Sequence, residues 1–91
     1  MTIDWTREAS RDLVRLAEFL ASVAPDVQAR VVIELVQAAS LLADSPRLGL
    51  RLPAYEPREV RRLVVGNYEM RYEVTPKSVY ILRVWHGREE R

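Results

Sequence analysis

An α+β fold in a single domain follows from three features of this 91-residue chain. It is ordered β-α-α-β-β-β, with an N-terminal helical hairpin packed on a mainly antiparallel twisted sheet. The first feature is a change of period. Apolar residues recur every three or four positions before Pro46, then alternate or run together after it. The second is turn chemistry: Gly66-Asn67 and Thr75-Pro76-Lys77-Ser78 cut the second half into β-rich stretches. The third is that neither half can bury its apolar side alone, so the helical hairpin has to lie across one face of the sheet.

Thr2-Ile3-Asp4-Trp5 alternates apolar and polar residues and predicts an opening strand. Thr6 comes next as an N-cap, with Glu8 placed to favour the positive end of a helix. Ala9, Leu13, Leu16, Ala17 and Leu20 form that helix's apolar stripe. Arg11, Asp12 and Arg15 fall on its other side and read as a solvated surface. Pro25 starts a second helix, which runs to about Asp44 before Ser45-Pro46 and Gly49 end it. Its stripe is Val27, Val31, Leu35, Ala38 and Leu42. Val32, Ile33, Val36 and Leu41 widen the apolar arc beyond what a surface helix needs. Val60 to Val65, Tyr68 to Thr75 and Val79 to Trp85 are the strands of an antiparallel meander, and Leu48 to Pro53 can add a short further one. By strict alternation Tyr80, Leu82 and Val84 share one side of the last strand, opposite Val79, Ile81, Arg83 and Trp85. Trp5, Trp85, Tyr68, Tyr72 and Tyr80 read as packing residues.

Composition narrows the function classes. The chain has no cysteine, which removes disulfides, thiolate nucleophiles and cysteine-based zinc sites together. It has no run of the roughly 20 apolar residues that a membrane span needs, and its first residues do not resemble a signal peptide. A soluble, cytoplasmic protein is expected, with no metal and no cofactor. Net charge is +1 but unevenly spread. Residues 1–46 hold four Arg against seven Asp and Glu, giving −3; residues 47–91 hold nine Arg and one Lys against six Glu, giving +4. A dipolar layout of this kind suits a polyanion or an acidic partner on one side. Phosphate-loop, dinucleotide and paired-histidine motifs are missing, and a single histidine leaves a serine triad little support.

The order of elements and several local patterns resemble the RelE/ParE toxin family of type II toxin–antitoxin systems, the plasmid-stabilisation type. The resemblance rests on Trp5, Ala9 and Asp12-Leu13, on the helix exit from Ser45-Pro46 to Gly49, and on Arg58 through Tyr68 with Tyr72-Glu73-Val74 after it. It ends on Val79-Tyr80-Ile81-Leu82-Arg83-Val84-Trp85-His86-Gly87-Arg88. It covers nearly the whole chain, as one toxin domain over 1–91. It implies a growth-arresting toxin held by a cognate antitoxin in a hetero-oligomer. The hairpin Arg-Leu-Val-Val-Gly-Asn-Tyr and the ending Ile-Leu-Arg-Val-Trp-His-Gly-Arg look more like the ParE branch, which implies inhibition of DNA gyrase. The RelE branch implies instead cleavage of mRNA on the ribosome, and a toxin keeping only its antitoxin binding is a third reading.

The residues bear on that choice. Metal-free RNA cleavage needs a base for the 2′-hydroxyl, cations for the phosphorane and a proton for the leaving oxygen. Histidine is the residue type that ordinarily titrates near neutrality, so His86 with Arg62 and Arg88 is the candidate nuclease set. Against it, Glu89 and Glu90 come next, where RNA would want no acid. Arg61 and Arg62 point to opposite sheet faces, and Arg71 between Glu69 and Glu73 reads as a satisfied ladder. Arg62 and Arg83 can share a face and, with Arg88, are the expected target or anion contacts. Val32, Ile33, Val36 and Leu41 are the expected seat of an antitoxin helix or a homodimer contact.

Overall fold

A computed structural model describes residues 1–88. Strand β1 (Thr2–Trp5) leads into helices α1 (Arg7–Val23) and α2 (Pro25–Leu41). After them come β2 (Leu50–Arg51), a 3-10 turn (Pro53–Tyr55), β3 (Glu59–Val65), β4 (Tyr68–Val74) and β5 (Ser78–His86). The two helices pack on one face of a five-stranded sheet of order β1-β5-β4-β3-β2. All pairs are antiparallel except β1 with β5, which the helical crossover makes parallel. The α+β expectation holds. Glu89 and Glu90, the acids read as unfavourable to RNA, lie outside the described residues.

Thr6 is the N-cap of α1: its hydroxyl oxygen accepts the Ala9 N–H at 3.1 Å and its O–H donates to the Ile81 carbonyl at 2.8 Å. One side chain thus starts the helix and ties it to the strand on which it lies. Pro25 opens α2 at its first turn, and Gln28 Nε2 donates to the Ala17 carbonyl of α1 at 2.7 Å. The second helix stops at Leu41, earlier than Asp44, because Leu42 to Ser45 tighten into i→i+3 and i→i+4 turns ahead of Pro46. Gly66, at φ +59°, provides the left-handed residue of the two-residue turn between β3 and β4.

The covered face of the sheet holds the core. Ala9, Leu16, Leu35, Ala39 and Leu42 from the helices meet Met70, Tyr72, Val74, Val79, Ile81 and Val84. Tyr72 is fully buried, and its hydroxyl accepts the Gly49 N–H at 2.8 Å. Burial pushes that hydroxyl's pKa up, which the Gly49 hydrogen bond partly offsets. A Cβ on Gly49 would sit 2.5 Å from the Arg62 carbonyl oxygen, so only glycine fits this crossing.

Strict alternation along β5 fails. Opposite Arg71 stands Arg83, yet opposite Tyr72 stands Ile81, so Leu82 is an extra residue in a bulge. The bulge reverses the parity of the residues beyond it. Val84 and His86 join Val79 and Ile81 on the covered face, while Arg83 and Trp85 turn to the open one. A regular strand would have driven the Arg83 guanidinium into the core, at the heavy cost of desolvating it.

Candidate functional site

On the open face, register sets Arg62, Arg71 and Arg83 side by side across β3, β4 and β5. The rung beside them is Val64, Glu69 and Trp85. Arg62 and Arg83 therefore share a face, as expected, but only because the bulge at Leu82 turns Arg83 outward, with Arg71 between them. Glu69 is the hub of this row at 3% exposure: Arg71 Nη2 donates to it at 2.8 Å and Arg62 Nη1 at 3.4 Å. Arg71 also donates to the Tyr55 hydroxyl at 2.8 Å and stacks over Trp85, whose ring centroid is 4.8 Å away. The Arg83 guanidinium covers the same indole at 5.2 Å. Trp85 is thus buried, as expected, but between arginines and not in the main core.

Arg83 is committed a second time. Its Nε donates to Asp12 Oδ2 at 2.7 Å and its Nη2 to Oδ1 at 3.1 Å, a two-point contact across the helix–sheet boundary. The Val84 backbone N–H donates to the same carboxylate at 2.9 Å. Asp12 is 4% exposed, so its reading as part of a solvated helix face is wrong. The reason is that β1 ends opposite Ile81 and leaves the β1-side edge of the next stretch of β5 unpaired, and Asp12 serves that edge. Burial raises the Asp12 pKa, but the hydrogen bonds from Arg83 and Val84, with the Arg83 charge, outweigh it and hold the carboxyl below its ordinary value. Arg61, on the covered side, is taken up by Glu59 at 2.8 Å and the Gly49 carbonyl at 2.8 Å. Its hydrogen bond leads the causes that lower the Glu59 pKa.

His86 stands where β5 ends. Its ring meets Tyr68 edge-on, with centroids 5.2 Å apart, and its Nδ1 accepts the Arg88 N–H at 3.2 Å. The neutral ring then carries its proton on Nε2. A cavity of about 500 Å³ opens here, walled by Arg62, Tyr68, Glu69, His86 and Arg88 with the β3–β4 turn. The three candidate nuclease residues Arg62, His86 and Arg88 therefore line one cavity, and Arg83 does not. Tyr68, His86 and Arg88 also wall a second groove, of about 610 Å³, completed by Arg15, Leu16 and Phe19 of α1. On α2, Ile33, Val36 and Leu41 are exposed and Val32 is half-buried, so the apolar excess seen in the sequence does face outward. The helical stripe alone does not mark Phe19, which stands one position off its end at Leu20 and is 61% exposed. No group of ligating side chains suited to a metal ion occurs among the described residues. Among the described residues, no helix is long and apolar enough to cross a membrane.

A helical hairpin on this strand order is the architecture that the resemblance to small toxins of the RelE/ParE type implies. Residues 3–91 match the model of the ParE toxin of type II toxin–antitoxin systems, and the chain belongs to that family. Two relatives from Caulobacter vibrioides are similar over most of their length. Toxin RelE2 is 34% identical over 83 residues, with 91% of each chain covered. Toxin RelE3 is 32% identical over 87 residues, covering 91% of this chain and 90% of that one. A solved structure described as the chromosomal ParDE system from P. aeruginosa superposes with a TM-score of 0.79 at 25% identity, covering 94% of this chain and 95% of its own. A toxin of this class implies an antitoxin partner.

Proposed function

We propose that this toxin arrests growth by binding DNA gyrase, that it does not cut RNA, and that its cognate antitoxin restrains it. The observation that carries the reading is Glu69. Its buried carboxylate lies in the wall of the cavity that would have to receive a scissile phosphate, and it already holds Arg62 and Arg71. A phosphate entering there meets a carboxylate beside arginines whose charge it partly neutralises, which weakens the stabilisation they can give a phosphorane. The Nδ1 lone pair of His86 accepts the Arg88 N–H at 3.2 Å, so that nitrogen has to give up a hydrogen bond before it can act as a base. The likeness to the ParDE structure agrees with this reading.

The second reading, a ribosome-dependent mRNA endonuclease, is favoured by one fact: Arg62, His86 and Arg88 line one cavity. The names RelE2 and RelE3 of two relatives lean the same way. Induced expression with plasmid supercoiling and mRNA integrity followed in the same cells separates the two. Growth arrest with gyrase-type DNA breaks and intact mRNA is the expected result. Cut mRNA with normal topology would overturn it and return His86 to a catalytic role. The absence of toxicity would overturn both readings and leave the fold without an assigned activity.

A further inference from the structure

We propose that the outer face of α2 is a contact between two copies of this chain, packed antiparallel about a two-fold axis that passes between Glu34 and Leu35. The inference is independent of what the toxin attacks.

Spacing carries it. Ala29, Ile33, Val36 and Ser40 follow one another at intervals of four, three and four residues, the repeat that keeps one helix's seam turned toward another helix. All four are exposed, Ile33 by 53% and Val36 by 41%, so the fold itself leaves the seam uncovered. No charge interrupts it over about 17 Å of helix. Arg30 and Glu34 stand beside it and are already matched to each other, an i,i+4 pair at 3.9 Å. Leu41 is exposed as well but falls outside this spacing.

A second copy is the occupant that fits, because the seam has the same form read in either direction. The two-fold axis sets Ile33 opposite Val36 of the second copy, and Ala29 opposite Ser40 of the second copy. Large side chains then fill the middle, and small ones at both ends let the helices approach. On the flank Arg30 comes beside Gln37 of the second copy, so no like charges oppose one another. The chain's net charge of +1 adds little repulsion between copies. A strongly charged partner would find nothing to pair with along the seam itself.

The seam lies on the side of α2 turned away from buried Leu35, Ala38 and Leu42. Dimerisation therefore leaves the arginine row and the cavity beside His86 uncovered, and one dimer carries two such faces. A single helix pair of this length sits at the small end of specific interfaces, so Kd should fall in the micromolar range.

Sedimentation equilibrium on the full chain tests the contact. The wild type should show a reversible monomer–dimer equilibrium, and Ile33→Glu and Val36→Arg should each raise its Kd about tenfold or more. Both positions are exposed, so both variants should melt as the wild type does. An equimolar mixture of the two variants should dimerise again, because the antiparallel register sets the new acid against the new base. A wild type that stays monomeric into the high micromolar range overturns the proposal. A dimer that neither substitution weakens overturns the seam, and a mixture that stays monomeric overturns the antiparallel register. A monomeric chain whose binding to the protein of the neighbouring open reading frame is lost in Ile33→Glu would give the seam to that protein instead.

Discussion

The two faces of the sheet are held by different physics. On the covered face, Leu16, Leu35 and Leu42 close over Met70, Tyr72, Ile81 and Val84, and each large side chain buried contributes about 1.5–3 kcal/mol. On the open face, a ladder of arginines and carboxylates is stitched over Trp85, and each cross-strand pair contributes only about 0.2–1 kcal/mol. The magnitudes decide that the covered face makes the fold. The open face instead fixes where charge is available, and Glu69 sets much of it to neutral.

Substitutions should separate the faces in order of size. Gly49→Ala, where the chain crosses the covered-side Tyr72, should cost the most, about 3 kcal/mol, because the added Cβ meets backbone at 2.5 Å and not a movable side chain. Thermal unfolding measures it, and an unchanged Tm would show that the crossing is looser than described. Asp12→Asn, at the seam between the faces, should cost about 2–3 kcal/mol in urea unfolding, since Arg83 and the Val84 N–H lose their carboxylate together.

The pH dependence comes from the same residue. Folding lowers the Asp12 pKa, so its contribution is complete above the unfolded value of about 3.9 and drains away as pH falls through the folded value. The Asn variant should therefore lose stability less steeply in that acid range than the wild type. Equal slopes would mean that Asp12 is not the group responsible. Arg62→Ala on the open face should cost least, under about 0.5 kcal/mol, because its guanidinium is half exposed and held at 3.4 Å. A loss of about 2 kcal/mol or more, an order-of-magnitude bound for buried pairs, would make the open face part of the fold's foundation.

The sequence disclosed what depends on local period and turn chemistry. The helices around Leu16 and Leu35, the meander, the Thr6 cap and the Gly66 turn are all legible from a few neighbours at a time. It concealed what depends on register and on distant pairs. The Leu82 bulge decides which face Arg83 and Trp85 occupy, and no pattern within β5 reveals it, because a bulge exists only relative to the partner strand. Asp12 looks like any helix-surface acid until β1 is known to stop opposite Ile81 and leave the Val84 N–H to be met. Within the candidate site, residue type alone found Arg62, His86 and Arg88. The alternation of β4 put Glu69 beside Arg71, but its place in the cavity wall needed all three strands. Phe19 carried a readable signal, a large apolar residue outside its helix's stripe.

One measurement directly tests the proposal that this toxin stops gyrase and leaves mRNA intact. Purified toxin is added to a cell-free translation reaction carrying a defined mRNA, and cleavage is followed by primer extension, with supercoiling by gyrase measured in parallel. The account predicts full-length mRNA at toxin concentrations that stop supercoiling. Translation-dependent cuts in the mRNA, with supercoiling untouched, would contradict it.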